Sequence, residues 1–196
     1  MKPLTASLVA GIAGGVVIIV ASEAVGVSPL ALLPLAALAL LAWPVVCVRY
    51  YAPRQIYKQM HHALNPAWEP PAAAAPATHP VLTSLSEAAE RYDWDALPGY
   101  LSKDFTLVDI RGRRFSSKIY VRAMRQYPRI YPDFQSQDEL VLSDPARPDV
   151  YYVRQLQLGR PRSGPALDVT MWSRVELAPC GERVRLIGAD AVVRAV

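Results

Sequence analysis

The stretch RYDWDALPGYLSKDFTLVDIRGR, residues 91–113, decides how the rest of this 196-residue chain is interpreted. Trp94 and Leu97 share one side of a short predicted helix, and an apolar strand over 105–110 follows that helix. Gly112 then marks a turn. A short helix that leads into a strand is typical of a water-soluble domain, whereas the first 48 residues are almost continuously apolar.

Two long apolar runs, 4–22 and 27–48, precede the soluble part. Each is close to the ~20 residues that a helix needs to cross a bilayer. Lys2 precedes the first run and no cation lies between the runs, whereas three cations follow the second: Arg49, Arg54 and Lys58. The positive-inside rule therefore predicts a two-pass protein of the cell membrane with both termini in the cytoplasm. The alternative is that the first run is a cleaved signal peptide.

The remaining chain divides by composition into a linker and a folded domain. Residues 49–64 are amphipathic and weakly basic, and residues 65–80 contain five prolines and six alanines. Such a segment cannot bury a core of its own and is predicted to be extended. We predict a two-helix transmembrane hairpin over 1–48, a juxtamembrane segment and Pro/Ala-rich linker over 49–80, and a folded domain over 81–196.

Helices come first in the folded domain, and long strands follow. Helices are predicted over 82–101, with a break near Pro98, and over 117–127. The predicted strands cover 105–110, 134–142, 150–158, 167–177 and 183–194. This order predicts an α+β domain in which helices pack against one face of a curved antiparallel sheet.

The order of elements and a local motif resemble the NTF2-like (SnoaL-like) superfamily. The matching residues are Asp93, Trp94, Asp95, Ala96 and Leu97, then Leu101, Asp104 and Phe105, then Leu107, Val108, Asp109 and Gly112. Over 81–196 the resemblance implies a cone, in which the sheet wraps around helices and leaves a pocket. Tyr92 departs from the pattern, because the superfamily usually has glycine before the first aspartate of the motif.

Asp109 is the first candidate catalytic residue. It matches the position at which the isomerase branch of the superfamily keeps a carboxylate base, and burial there would raise its pKa. That branch also uses an oxyanion donor on the first helix, where this chain has Leu85 or Ala89. The second donor position falls at Met171 or Trp172, so both donors are predicted to be missing. The alternative is an acid at a strand end, paired with neighbouring arginines.

Asp190 is the second candidate. Regular alternation would point it into the apolar interior, and the resemblance adds that cyclase-like members carry a functional aspartate on the last strand. A bulge at Gly188 would reverse that orientation. Arg154 is its predicted partner in a salt bridge, and Tyr152, Arg154 and Trp172 form the predicted pocket lining.

Seven cations and no acid lie between residues 111 and 129. They are Arg111, Arg113, Arg114, Lys118, Arg122, Arg125 and Arg129. The last four follow helical spacing and form one stripe, which is either a solvated face or a surface for an anionic lipid or an acidic protein. Nucleic acid is not predicted as a partner, because the folded domain has 17 cations against 15 acids.

Association is predicted to use the sheet. On the strand 167–177, Trp172 alternates with apolar residues and shares its face with Asp168, Thr170, Arg174 and Glu176. An exposed tryptophan among polar residues is typical of an interface anchor, which predicts a homodimer, or a heterodimer with a related domain. If the two faces are reversed, Trp172 lines the pocket instead.

The predicted function is a non-catalytic binding or assembly module at the cytoplasmic face of the membrane. All three histidines (His61, His62 and His79) precede the folded domain, and the expected oxyanion donors are missing. The alternative is an isomerase, dehydratase or cyclase that acts on an apolar, steroid- or polyketide-like substrate with an aspartate base. No cofactor and no metal site are predicted.

Overall fold

The structure, a computed structural model, describes residues 37–38 and 41–195. The predicted span 4–22 and most of the span 27–48 lie outside the described residues. Among the described residues, no helix is both long enough and apolar enough to cross a bilayer. The chain divides into two units, Met1–Val48 and Arg49–Val196, and the strands below all belong to the second.

The second unit combines short helices with long strands. The helices are α1 (Ala52–His62), α2 (Pro80–Glu90), α3 (Leu97–Tyr100), α4 (Ser117–Met124) and α5 (Tyr127–Ile130). The strands are β1 (Ala75–Pro76), β2 (Leu101–Val108), β3 (Arg114–Ser116), β4 (Gln135–Asp144), β5 (Arg147–Gly159), β6 (Leu167–Leu177) and β7 (Val184–Ala195). The predicted α+β class is confirmed, and the four long strands lie within a few residues of their predicted positions.

The strands form one sheet in the order β1-β4-β5-β6-β7-β2-β3. Neighbouring strands are antiparallel except β2 and β7, which are parallel. The prediction of a wholly antiparallel sheet is therefore wrong at this pair. Strands β4–β7 follow one another as antiparallel neighbours. Strand β2 comes earlier in the chain and lies beside β7, the last of them, with the same direction. Register shifts mark bulges in β4 and β7, and bulges bend and twist a sheet.

The main hydrophobic core lies between the helices and one face of the sheet, here called the inner face. Its buried members include Leu82, Ala88, Leu97, Leu101, Phe105, Val121, Val153, Val175, Leu177 and Val184. Leu97 of the 91–113 stretch is fully buried, and Trp94 packs against this core. The short helix in that stretch therefore positions the start of β2 by packing into the core.

The end of α2 explains the departure at Tyr92. The Asp93 amide donates to the Ala88 carbonyl (2.8 Å) and the Tyr92 amide to the Ala89 carbonyl (3.1 Å), which is the bonding pattern of a Schellman cap. Tyr92 has a φ of +58°, the left-handed conformation that usually selects glycine at this position. Its hydroxyl donates to the Phe134 carbonyl, a bond that glycine lacks.

Helix α1, in the segment predicted to lie at the membrane surface, packs on the sheet. Ile56 and Met60, four residues apart and therefore on one helix face, contact a cluster built on Tyr131, Phe134 and Val192. Immediately after α1, the Val192 amide donates to the carbonyl of Ala63 (3.2 Å). An amphipathic helix has the same apolar stripe whether it faces lipid or a sheet, so the pattern alone does not choose between them.

Residues 64–76, here called the strap, cross the other face of the sheet, the outer face. The Asn65 amide donates to the Val192 carbonyl (2.8 Å) at one end, and β1 pairs with β4 at the other. Between these ends Trp68 packs on Trp172, with ring centroids 5.7 Å apart. Trp172 is only 6% exposed, so its predicted exposure is wrong. An extended proline-rich segment lies flat on a sheet and can cover it without a core of its own.

Candidate functional site

A cavity of about 230 Å³ lies between the inner face and the helices. Most of its lining is apolar: Leu82, Leu85, Leu107, Ile110, Met124, Val153, Met171, Val175 and Ile187. Gln59 and Met60 of α1 complete one wall. An apolar cavity of ~150 Å³ is enough for benzene, so this one has room for a ligand of roughly ten non-hydrogen atoms.

Asp138 is the acid that β4 brings into this cavity. It is paired in register with Gln155 of β5, and the Gln155 side-chain amide donates to its Oδ1 at 2.8 Å. The pairing is irregular between Asp138 and Leu140, which leaves Glu139 as the extra residue of a bulge. Asp138 therefore faces the cavity, whereas Leu140 packs with the cluster under the strap.

The surroundings of Asp138 make its carboxylate more basic. Burial raises the pKa of Asp138, hydrogen bonds from Gln155 and Ser86 lower it, and the charge of Glu90 raises it, with a net rise above the ordinary 3.8. Removal from water disfavours the charged form, and two neutral donors only partly replace the lost hydration. A carboxylate of this kind is suited to accept a proton from a bound molecule.

Two tyrosines line the same cavity. Burial, with smaller contributions from the charges of Asp138 and Tyr127, raises the pKa of Tyr120 to about 12. Burial likewise raises the pKa of Tyr127. Both phenols are therefore neutral at pH 7 and remain able to donate a hydrogen bond. Tyr120 comes from α4 and is held by packing on Phe105, with ring centroids 5.5 Å apart.

Asp109 reaches the cavity wall, but its oxygens are engaged in a turn. Its Oδ1 accepts from the amides of Arg111 and Arg113 (2.9 Å each), and its Oδ2 accepts from Arg113 Nε at 2.7 Å. Burial acts to raise the pKa of Asp109, but the bonds and charge of Arg113 and the Arg111 amide outweigh it and lower the pKa. This matches the alternative of an acid paired with arginines and makes Asp109 a weak base.

Asp190 does not reach the cavity. The pairing of β7 with β6 skips it between Trp172 and Ser173, so Asp190 is a bulge residue and its side chain is exposed. The predicted inward orientation is therefore wrong. The cause is a bulge, the alternative that the sequence raised at Gly188. The predicted salt bridge is also absent from the described residues, since Arg154 pairs with Glu139 at 3.2 Å.

The predicted pocket residues of β5 and β6 lie on the outer face. Tyr152 packs near Trp68 of the strap, with ring centroids 6.3 Å apart, and the Arg154 guanidinium lies 6.0 Å from the Trp172 ring centroid. Alternation along β5 instead directs Val153, Gln155 and Gln157 into the cavity. The assignment failed because it took the face with Trp172 as a pocket wall, whereas the strap covers that face.

Sequence reasoning missed Asp138, Gln155, Gln157 and the two tyrosines. The two glutamines carried one signal. They take inward-facing positions of a long central strand that is otherwise rich in apolar residues, and burying an amide there costs free energy unless it forms hydrogen bonds. No comparable signal marked Asp138. Strict alternation places it on the same face as Leu140, and only the bulge at Glu139 separates them.

The predicted cationic stripe is on the surface around α4. All seven cations are exposed; Arg113 pairs with Asp109, and Arg125 pairs with Asp95. The other five form no ion pair within the described part of the chain. Ile119 lies beside Lys118 on α4 and is 51% exposed.

Comparison with known proteins finds similarity in solved structures. No protein-family model matches the chain, and no curated protein matches it. AclR from Streptomyces galilaeus is 14% identical, with 59% of this chain and 78% of that chain covered and a TM-score of 0.49. A SnoaL-like polyketide cyclase from Agrobacterium tumefaciens is also 14% identical, with 56% and 86% covered and a TM-score of 0.47. An LEH-like epoxide hydrolase from M. tuberculosis is 14% identical, with 55% and 73% covered and a TM-score of 0.45.

These similarities concern the fold. The described residues form a mixed α+β architecture of one seven-stranded sheet and a few helices.

Proposed function

We propose that the domain is an enzyme that transfers a proton on a small, mainly apolar carbonyl compound bound in the cavity. The observation that carries this proposal is Asp138, a desolvated carboxylate that is held by Gln155 in an otherwise apolar cavity. Asp138 takes a proton from the carbon next to the carbonyl and returns it to another atom of the substrate. This step is shared by isomerisation, dehydration and carbon–carbon cyclisation.

The developing negative charge on the carbonyl oxygen needs a donor, and Tyr120 is the candidate. Its hydroxyl is neutral at pH 7, burial raises its pKa to about 12, and Tyr127 is a second tyrosine of the same cavity. A neutral donor in a water-poor site stabilises an oxyanion more than the same donor in water. These tyrosines replace the donors that are missing at Leu85, Ala89 and Met171, which removes the main reason for predicting a non-catalytic module.

The test is exchange of the α-protons of 1-indanone with solvent deuterium, followed by NMR. This ketone has about the size that the cavity admits. We expect the protein to accelerate exchange, Asp138→Asn to abolish the acceleration, and Tyr120→Phe to reduce it about a hundredfold, as for loss of one oxyanion donor. Asp168→Asn is the matched control, because it removes a carboxylate of β6 that does not line the cavity.

The rate should rise with pH through one ionisation above 3.8, because only ionised Asp138 accepts a proton and its pKa is raised. If 1-indanone binds but exchanges no faster than in buffer, the enzyme proposal is wrong and the non-catalytic binding module is the better account.

A further inference from the structure

Gln157 contains a buried polar atom that the proposed chemistry does not use. It lies on β5 two residues after Gln155 and lines the same cavity. Its side-chain oxygen Oε1 is buried and has no hydrogen-bond partner among the described residues. Native proteins pair nearly all such atoms, because an unpaired buried acceptor loses its hydration without gaining a hydrogen bond.

The neighbours of Gln157 do not supply a donor. Across the sheet it is paired with Ser136 of β4 and Val169 of β6. Val169 has no side-chain donor, and Ser136 makes no hydrogen bond to Gln157 in the described part of the chain. Gln155 differs in this respect, because its amide is already engaged with Asp138. The unpaired oxygen therefore belongs to the wall of the cavity and not to a network within the protein.

We propose that Gln157 is a specificity-determining residue, whose Oε1 accepts a hydrogen bond from a hydroxyl or N–H group of the cavity ligand. Gln157 is the next inward-facing residue of β5 after Gln155, which holds Asp138. The ligand therefore presents its reacting carbon to Asp138 and a donor group to Gln157. This inference rests on the proposed function and narrows its substrate to a hydroxy- or amino-bearing carbonyl compound of roughly ten non-hydrogen atoms.

Three ligands of nearly equal size and shape test whether binding depends on a hydrogen-bond donor of the ligand. Indole has an N–H donor, indene has CH₂ in its place, and benzofuran has only an acceptor. We expect the full-length protein to bind indole about tenfold more tightly than indene or benzofuran in calorimetric titrations, which is the effect of one hydrogen bond to an otherwise unpaired atom.

Substitution at Gln157 should remove this preference. Gln157→Leu is expected to weaken indole binding about tenfold, to leave indene binding unchanged, and to keep or raise the melting temperature, because it removes an unpaired polar group. Gln137→Leu is the matched control: Gln137 is an exposed residue of β4 outside this cavity, and the variant should keep the full preference.

Three results would overturn the assignment of Gln157. They are equal binding of indole and indene by the unmodified protein, a preference that survives Gln157→Leu, and tighter binding of benzofuran than of indole. None of these results affects the exchange assay, because 1-indanone has no donor group; absence of exchange alongside a Gln157-dependent indole preference would instead refute the enzyme and retain the site.

Discussion

At the scale of single residues, two aspartates of one cavity show how local bonding sets basicity. Asp138 is half-buried with two neutral donors, and its pKa rises. Asp109 is also partly buried, but Arg113 and two backbone amides bond to it, and its pKa falls. Neither outcome follows from residue type, since both begin from the same ordinary value. The location of each residue, Asp109 in a turn and Asp138 on the inner face of β4, therefore decides whether its carboxylate is a weaker or a stronger base.

The raised pKa of Asp138 implies a stability change with pH. Below 3.8 the carboxyl is protonated in both folded and unfolded chains. As pH rises through the raised folded pKa, the unfolded state releases its proton more readily and the folded state loses stability. We therefore expect Asp138→Asn to raise the melting temperature at pH 7 and to have little effect at pH 3.5, measured by circular dichroism.

Asp109→Asn should behave in the opposite way. Its folded pKa is lowered, so the stabilisation is present above 3.8 and disappears as pH falls through the folded value. This variant should melt at a lower temperature than the unmodified protein at pH 7.

A melting temperature for Asp138→Asn below that of the unmodified protein at pH 7 would show that the Asp138 carboxylate is not desolvated.

At the scale of elements, β6 shows that one strand can be buried on both faces. Val169, Met171 and Val175 face the core, as alternation predicts. On the opposite face the strap buries Trp172, and Glu176 is buried among arginines. Its carboxylate lies 3.2 Å from Arg147, 3.5 Å from Arg174 and 2.9 Å from Arg185. The polar residue types on this face of β6 predicted that it is exposed to solvent. In the structure, the strap and the ion pairs around Glu176 cover it.

We expect Glu176→Gln to destabilise the domain by about 2 kcal/mol, because it leaves three partly buried guanidinium groups without their shared counter-charge. Urea denaturation measures this change in the free energy of unfolding. Glu139→Gln is the matched control, since Glu139 has one partner, Arg154, and is more exposed; its cost should stay within about 1 kcal/mol. Equal costs for the two variants would contradict a special role for the network.

At the scale of the whole molecule, residues 49–80 are part of the folded unit. Helix α1 supplies Met60 to the cavity wall and Ile56 to the cluster beside it. The strap then covers the outer face, and β1 pairs with β4 at one edge of the sheet. The unit that contains the cavity therefore begins near Arg49, and a fragment that begins at residue 81 lacks part of the cavity and exposes the Trp172 face.

Two fragments test this boundary. We expect residues 49–196 to unfold cooperatively and residues 81–196 to melt at least 10 °C lower or to self-associate through the uncovered outer face, because a large apolar area is exposed. Melting curves and sedimentation measure both effects. Within 49–196, Trp68→Ala should cost about 3 kcal/mol, as for a tryptophan lost from a packed cluster. Equal stability of the two fragments would show that the strap and α1 contribute nothing.

Membrane topology is the remaining prediction at this scale. The apolar runs 4–22 and 27–48 and the cations that flank them predict that both termini lie in the cytoplasm. A reporter fused after Val196 should be active if it works in the cytoplasm and inactive if it requires export. The reverse pattern would favour cleavage of the first run and place the domain outside.

The sequence by itself determined the α+β class and the long strands, because these depend on periodicity along the chain. For Asp109 it left open a catalytic base and an acid paired with neighbouring arginines. It did not determine which face of the sheet holds the cavity, nor that Asp138 enters it. Those features depend on bulges at Glu139 and Asp190 and on the strap that crosses the outer face. A bulge reverses which residues of a strand face inward, and the strap covers strands that are distant from it in the sequence. Neither effect can be read from periodicity, so only the tertiary structure decided which face holds the cavity and that Asp138 enters it.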